Sequence, residues 1–266
     1  MQKAECFAAI FQHIKLMTDN INIMFERERL YVQSMDSARV SIFEIIIPRT
    51  WFDEYIVDEP VNLGINSSIL YKILNARDKN QVMCIEYDGE TEDQLLVHFT
   101  NASSGASAGA TTVQPNKDNT FDKHFEIPLV EIETELLAIV ELDYQAEIAF
   151  PSTYFASIIN QLKMFGDTME IQCSEENVIL YATSVESGKM SVEIKIDDLT
   201  AFSILEGDEL KLSFSLMYLH NICMYNKLAK DIELKMSTNY PMCIYYNLGE
   251  GAEIKYFLAP KIVDDD

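Results

Sequence analysis

The sequence has few of the cysteine, histidine and glycine residues that build disulfide frameworks, metal sites and phosphate-binding loops. Its 266 residues include five cysteines without a CxxC pair, four histidines, nine glycines and one tryptophan. These numbers argue against a disulfide framework, a zinc site and a glycine-rich phosphate loop. No apolar run is long enough to cross a bilayer, and the N-terminus lacks the pattern of a signal peptide. We therefore expect no metal, no cofactor and no membrane partner.

Basic residues are scarce as well. Lysine and arginine total 20 against 43 acidic residues, which gives a net charge of −23. A surface this acidic repels nucleic acids and anionic membranes as a whole. With 48% hydrophobic residues, the composition predicts a soluble globular protein. Cys84, Cys223 and Cys243 lie in apolar patterns, which predicts buried thiols in a reducing compartment.

One stretch, Leu30–Val40, predicts a β-hairpin. Leu30, Val32 and Ser34 alternate with Tyr31, Gln33 and Met35 in the sequence LYVQSMDSARV, the period of a strand. Asp and Ser then favour a turn, because their side chains can hydrogen-bond the nearby backbone. A second strand is predicted from Val40 to Ile47. Taken alone, such a hairpin fits any all-β or α+β protein.

The pattern of the first half returns in the second. Helical spacing of apolar residues from Phe7 to Met17 recurs from Phe155 to Phe165, 148 residues later, and the segments 29–33 and 61–67 match 178–182 and 210–216 at an offset of 149. Each half carries two short helices among several strands. This repeat predicts two similar domains with helices on one face of largely antiparallel sheets, an α+β fold.

Two segments stand apart from the repeat. Residues 100–119 are rich in Ser, Gly, Ala and Asn, which predicts a flexible insertion. Residues 130–143 are acidic with interleaved apolar side chains and predict an extended connector. We thus expect an N-terminal domain at 1–129, the connector at 130–143 and a C-terminal domain at 144–266.

The four predicted helices contain no acidic residue. They span 7–18, 66–77, 152–165 and 215–229, or 53 of the 266 residues, yet hold none of the 43 acids. Buried helices would explain this, but each helix also carries polar residues that suggest a solvated face. A face without acids, with Lys15, Lys72, Arg77, Lys163 and Lys227 on it, is typical of a surface that contacts DNA phosphates without reading sequence.

Three stretches carry a family resemblance. LYVQSMDSARV at 30–40, LGINSSILYKIL at 63–74 and IKYFLAPKIVDDD at 254–266 resemble the proliferating cell nuclear antigen family of sliding DNA clamps. The resemblance implies two similar domains per subunit, a homotrimeric ring closed head to tail, helices lining the channel, and sheets outside. It implies non-enzymatic tethering of DNA polymerase on double-stranded DNA, with a clamp loader and replication and repair proteins as partners. The expected location is the nucleus, or a cytoplasmic replication site if the source is viral.

The resemblance also assigns two further sets of residues. A hydrophobic pocket for partner peptides would consist of Met35, Val40, Ile42, Leu137, Ile139, Pro241, Phe257, Ala259, Pro260 and Ile262. The subunit interface would pair a strand containing Phe125 and Ile127 with one containing Met190, Val192 and Ile194 of the next subunit.

The sequence has fewer basic residues in its predicted helices than the family pattern. Ala8, Ala9, Ser157, Asn160, Met217 and Met224 stand where Lys or Arg is common, so we expect weak channel binding to DNA. Glu175 aligns with a position that bears a modifiable lysine in many clamps. The family offers no role for the insertion at 100–119.

Three alternatives remain at this level. An enzyme is disfavoured because no catalytic motif is present and the histidines are scattered. An acidic DNA mimic would have no reason to keep four helices free of acids. A related clamp that works as a heterotrimer or a monomeric processivity factor fits the same residues.

Overall fold

A computed structural model describes residues 3–89, 93–101, 120–133, 136–139 and 142–261. Four α-helices lie in this part of the chain: α1 (Lys3–Met17), α2 (Ser67–Leu74), α3 (Ser152–Leu162) and α4 (Leu216–Ile222), the last continued by a 3₁₀ helix at Cys223–Lys227. The predicted insertion at 100–119 lies outside the described residues, apart from positions 100 and 101.

The rest of the fold is antiparallel β-structure. The strands of the first half are β1 (Asn20–Phe25), β2 (Arg29–Met35), β3 (Ser41–Pro48), β4 (Val61–Asn66), β5 (Gln81–Glu86), β6 (Gln94–Asn101) and β7 (Lys123–Pro128). Those of the second half are β8 (Ala146–Pro151), β9 (Thr168–Cys173), β10 (Asn177–Ser184), β11 (Gly188–Lys195), β12 (Ala201–Ile204), β13 (Leu210–Ser215), β14 (Asp231–Met236), β15 (Met242–Gly249) and β16 (Ala252–Leu258).

One nine-stranded sheet joins the two halves. Its order is β12-β8-β14-β15-β16-β3-β2-β1-β4, and the two halves meet at the antiparallel pair β16–β3. Two smaller sheets, β11-β10-β9-β13 and β5-β6-β7, complete the described strands. The α+β prediction is confirmed, and the helices pack as a layer with α1 against α2 and α3 against α4.

The repeat is visible in where equivalent strands begin. β1 and β9 begin 148 residues apart, β3 and β11 147, and β4 and β13 149. β2 and β10 begin at Arg29 and Asn177, also 148 apart, so the offset of 149 predicted for this pair was wrong by one. Since side chains alternate across a strand, the offset of 148 is the one that places Leu30 and Val178 both in the core.

The helices hold their places through apolar stripes. Phe7, Ile10, Phe11 and Ile14 of α1 are buried at the spacing of one helix face. Helix α2 begins where Asn66 Oδ1 accepts a hydrogen bond from the Ile69 amide at 3.0 Å, as an N-cap does. The observed α1 starts earlier than predicted and includes Glu5, so the first helix is not free of acids.

The start of the connector packs directly against Gly64 of β4. The Val130 amide donates to the Gly64 carbonyl oxygen at 2.9 Å. A Cβ added at Gly64 would lie 2.0 Å from the Val130 oxygen, far inside van der Waals contact. Gly64 therefore permits the connector to lie directly on β4.

Candidate functional site

A row of apolar side chains crosses four strands on the face of the large sheet opposite the helices. Met35 on β2 faces Ile42 on β3, Ile42 faces Phe257 on β16, and Phe257 faces Cys243 on β15. The structure thus brings together three of the predicted pocket residues in one row. Cys243, which sequence reasoning did not assign to the pocket, extends the row, and burial raises the pKa of its thiol to about 11.

Chain segments at one end of this row form its rim. The Ala259 amide donates to the Val40 carbonyl oxygen at 3.2 Å, which extends the β16–β3 pairing beyond the strands. Pro260 is half-buried and Pro241, just before β15, is exposed. The predicted residue Ile262 lies outside the described residues.

Polar residues of the sheet fix the connector above the row. Asn22 Nδ2 donates to the Ile132 carbonyl at 3.3 Å. Gln33 Nε2 donates to the Leu137 carbonyl at 3.0 Å, and the Leu137 amide donates back to Gln33 Oε1 at 2.8 Å. These bonds satisfy the connector backbone while the Leu137 side chain stays 40% exposed, available for contact with another molecule.

A cavity of about 910 Å³ continues from the apolar row beneath the end of the connector. It shares Ile139 and Phe257 with the predicted pocket, and its other lining residues are mostly polar. Two lysines within it are paired: Lys255 Nζ lies 2.7 Å from Glu253 and Lys235 Nζ 3.2 Å from Glu147. Sequence reasoning missed this polar extension, because it depends on side chains that only the sheet register brings together.

The helix layer carries the predicted DNA-contacting residues unequally. Lys72, Lys163 and Lys227 are exposed, whereas the Lys15 ammonium lies 3.9 Å from the centre of the Tyr71 ring, a cation–π contact. The Arg77 side chain is only 6% exposed and donates to the carbonyl oxygens of Lys79 and Gln81. Arg77 thus serves the chain's own backbone, and we leave it out of the DNA-facing set.

The pKa values of two histidines indicate that lysine side chains lie close to neighbouring helices. Burial is the main cause that lowers the pKa of His13 on α1, and the charge of Lys227 lowers it further. Burial likewise lowers the pKa of His220 on α4, with Lys163 contributing. Both effects favour neutral imidazoles. The lysines of the second half are therefore close enough to act on helices of both halves.

Two of the edge strands in the described part of the chain, β7 and β11, belong to the two smaller sheets. β7 pairs with β6 alone and β11 pairs with β10 alone. Of the predicted interface residues, Phe125, Met190 and Val192 are half-buried, while Ile127 and Ile194 are buried in their own sheets. Ile127 and Ile194 could thus contribute to an interface through the backbone rather than the side chain. Phe121, just before β7, is 76% exposed.

The described residues contain no group of three or more His, Cys, Asp or Glu side chains placed to hold a metal ion. In the sheet β5-β6-β7, Cys84 faces His98 and His98 faces His124. Cys84 is exposed, which corrects its predicted burial; the other predicted thiols, Cys223 and Cys243, are buried as expected.

Comparison with known families accounts for nearly the whole chain. No helix in the described residues is long and apolar enough to span a membrane. The family model "Proliferating cell nuclear antigen, N-terminal domain" matches residues 1–113, and "Proliferating cell nuclear antigen, C-terminal domain" matches residues 138–261. The family consists of non-enzymatic clamps that act in processive DNA replication with DNA and polymerase-type partners. The chain therefore belongs to the proliferating cell nuclear antigen family and is a sliding clamp of that type.

Proposed function

We propose that three copies of this chain close head to tail into a ring around double-stranded DNA and tether DNA polymerase by topology. The strongest support is that β7 and β11, the strands the repeat makes equivalent to β16 and β3, are both edge strands. Within the chain, β16 joins β3 and so fuses the two halves. The equivalent strands in the other halves of the repeat, β7 and β11, have free edges, so β7 of one copy can pair with β11 of the next. Such a heterologous contact closes into a ring when its rotation permits.

Exposed apolar residues at both ends of these edges support the same pairing. Phe121 precedes β7, and Val185 stands fully exposed at the tip of the hairpin between β10 and β11. Exposed apolar side chains beside an open strand edge favour association, because pairing removes them from water. A homotrimer pairs the β7 and β11 edges of every copy, whereas a monomer leaves these two edges open.

The helix layer would line the channel and face the DNA. Lys72, Lys163 and Lys227 supply its exposed charge, and Glu5 is the only acidic residue within the four described α-helices. Exposed Leu16, Tyr154, Met164 and Met217 stand among them. A channel with so few basic side chains binds DNA weakly and without regard to sequence, which suits sliding.

The apolar row and the connector would receive peptide motifs of partner proteins. Met35, Ile42 and Phe257 form a half-buried floor, with Leu137 and Ile139 of the connector above one side. A few aromatic or aliphatic anchors seated in such a pocket can supply most of the binding energy. Met35 adapts its shape easily, which suits a site used by several partners, including polymerase, clamp loader and repair proteins.

Domain limits and location complete the proposal. The N-terminal domain would end at residue 129 and the C-terminal domain would begin at 144, with the connector between them. A clamp of this kind would work in the nucleus, or at a cytoplasmic replication site if the protein is viral.

A polymerase assay on primed circular DNA tests this function. We expect the wild-type chain, loaded onto the circle, to extend the length of product made in one binding event. Ile139→Glu and Pro260→Glu should abolish that stimulation while a ring of about three times 30.4 kDa persists in light scattering. Leu205→Glu is the control, because Leu205 is an exposed apolar residue that does not belong to the proposed pocket. A wild-type monomer at micromolar concentration would refute the homotrimer and favour a monomeric or heterotrimeric factor. Stimulation that survives both pocket changes would show that the pocket is misplaced.

A further inference from the structure

The junction inside the chain predicts the residue-by-residue register of the proposed junction between copies. In β16–β3, Phe257 faces Ile42 and Leu258 faces Ser41. β3 and β11 begin at Ser41 and Gly188, so Ile42 corresponds to Lys189. The register of the intermolecular pair then depends only on how β7 corresponds to β16.

Two backbone hydrogen bonds establish that second correspondence. The Val130 amide donates to the Gly64 oxygen at 2.9 Å, and the Lys261 amide donates to the Ser213 oxygen at 2.7 Å. Gly64 and Ser213 occupy the same position, the fourth residue, of β4 and β13. Val130 is therefore the counterpart of Lys261, and Glu126, four residues earlier, is the counterpart of Phe257.

From these two correspondences we infer that Glu126 of one copy lies directly opposite Lys189 of the next copy and forms a charge pair with it across the junction. The inference rests on the proposed ring and adds its register. Both residues are exposed. Glu126 forms no salt bridge with any described residue of its own chain, and the Lys189 ammonium lies 4.4 Å from the centre of the Tyr181 ring. Opposite charges on facing strands stabilise the pair, and like charges there destabilise it.

In this register, equivalent positions of the internal junction and of the junction between copies carry different kinds of side chain. At the internal junction the equivalent positions carry Phe257 and Ile42, the floor of the apolar row. At the junction between copies they carry Glu126 and Lys189, which offer nothing to an apolar anchor. A ring would accordingly have one peptide pocket per copy, and self-association would depend on a charge match that a foreign strand lacks.

Other facing pairs of the junction are consistent with this role. Phe125 would face Met190, which places two half-buried apolar side chains together. Asp122 would face Glu193, a like-charge pair, but each carboxylate is already hydrogen-bonded within its own copy: Asp122 accepts from the Asn101 amide at 3.0 Å and Glu193 from Asn177 Nδ2 at 2.8 Å. Glu126–Lys189 is then the pair that can supply favourable charge complementarity at this face.

Charge reversal with rescue tests the pair. We expect Glu126→Lys and Lys189→Glu each to raise the concentration needed for trimer formation about tenfold or more, because every ring contains the mismatch at each junction. The double variant Glu126→Lys with Lys189→Glu should restore assembly to within about threefold of wild type. Glu206→Lys and Lys211→Glu change the same charges at exposed positions away from β7 and β11 and should have no effect. Light scattering across a dilution series measures all six proteins.

The outcomes separate the register from the ring itself. A wild-type trimer whose double variant is no better than the single variants would overturn the charge pair and leave the ring standing. A wild-type monomer would overturn the ring.

Cross-linking measures the register independently of charge. Glu126→Cys combined with Lys189→Cys should yield copies joined by a disulfide on mild oxidation, since directly opposed Cβ atoms are near bonding distance. Glu126→Cys combined with Ser191→Cys should not. Efficient cross-linking of the second pair alone would overturn the register.

Discussion

Gln33 and Leu137 exchange two hydrogen bonds, one in each direction, although 104 residues separate them in sequence. Gln33 also donates to the Tyr31 hydroxyl at 3.1 Å, and that hydroxyl donates to Glu44 at 2.8 Å. Gln33, which is only 5% exposed, thereby fixes the connector backbone to the sheet.

Replacing Gln33 by alanine should loosen the connector and weaken partner binding. The change removes both bonds to Leu137 and leaves its backbone groups to be satisfied by water, a loss of about 1–3 kcal/mol. Because Leu137 and Ile139 would lose their fixed position, we expect about tenfold weaker binding of a partner peptide, measured by calorimetry, with an unchanged trimer. Gln172→Ala, on β9 in the four-stranded sheet, is the matched control. Unaltered peptide affinity in Gln33→Ala would show that the connector is held by other contacts.

The exposed lysines of the helix layer should govern the salt dependence of DNA binding. Lys72→Gln, Lys163→Gln and Lys227→Gln should each lower the slope of log Kd against log salt by about 1, if each lysine contacts one phosphate. Fluorescence anisotropy with a labelled duplex gives that slope. Arg77→Gln and Lys211→Gln serve as comparisons, because Arg77 binds its own backbone and Lys211 lies on β13. Equal slopes in all five variants would contradict a DNA-facing role for this surface.

His13 should make the protein less stable in mild acid. Burial lowers the pKa of His13 below its ordinary value of 6.5, so the folded state binds fewer protons than the unfolded state at this position. The contribution of the neutral imidazole is therefore complete above the ordinary pKa and is lost as the pH falls through the lowered value. We expect the thermal unfolding midpoint to drop as the pH falls below the ordinary value of 6.5, and less so in His13→Gln. His220→Gln, at a more exposed imidazole, should alter the drop less. An identical drop in His13→Gln and wild type would assign the pH dependence to other groups.

Local periodicity was sufficient for the elements but not for the contacts between them. The alternation in Leu30–Ser34 and the apolar spacing from Phe7 to Met17 located β2 and α1, because burial of one face repeats every two or 3.6 residues. The role of Gln33 could not be read in this way. A polar residue facing outward from a strand looks solvent-exposed until a distant segment lies over it.

The same limit applies to charges. Arg77 and Lys72 look alike in sequence, since Lys72 lies in the last turn of α2 and Arg77 lies just after that helix. Arg77 is nevertheless turned toward the carbonyls of the following loop, whose path depends on tertiary packing. The one-residue error in aligning β2 with β10 has a similar origin, because only hydrogen-bonded register fixes which side chains share a face.

The glycine beneath the start of the connector also has a mechanical consequence for the proposed ring. Half of the ring's strand junctions are bridged by a covalent segment that begins at Val130 on Gly64 and is tied down again at Leu137. The remaining junctions depend on strand pairing and side chains alone. A clamp loader that opens such a ring would therefore separate it at a junction between copies. The bending that accompanies opening would occur outside the junctions that the connector bridges.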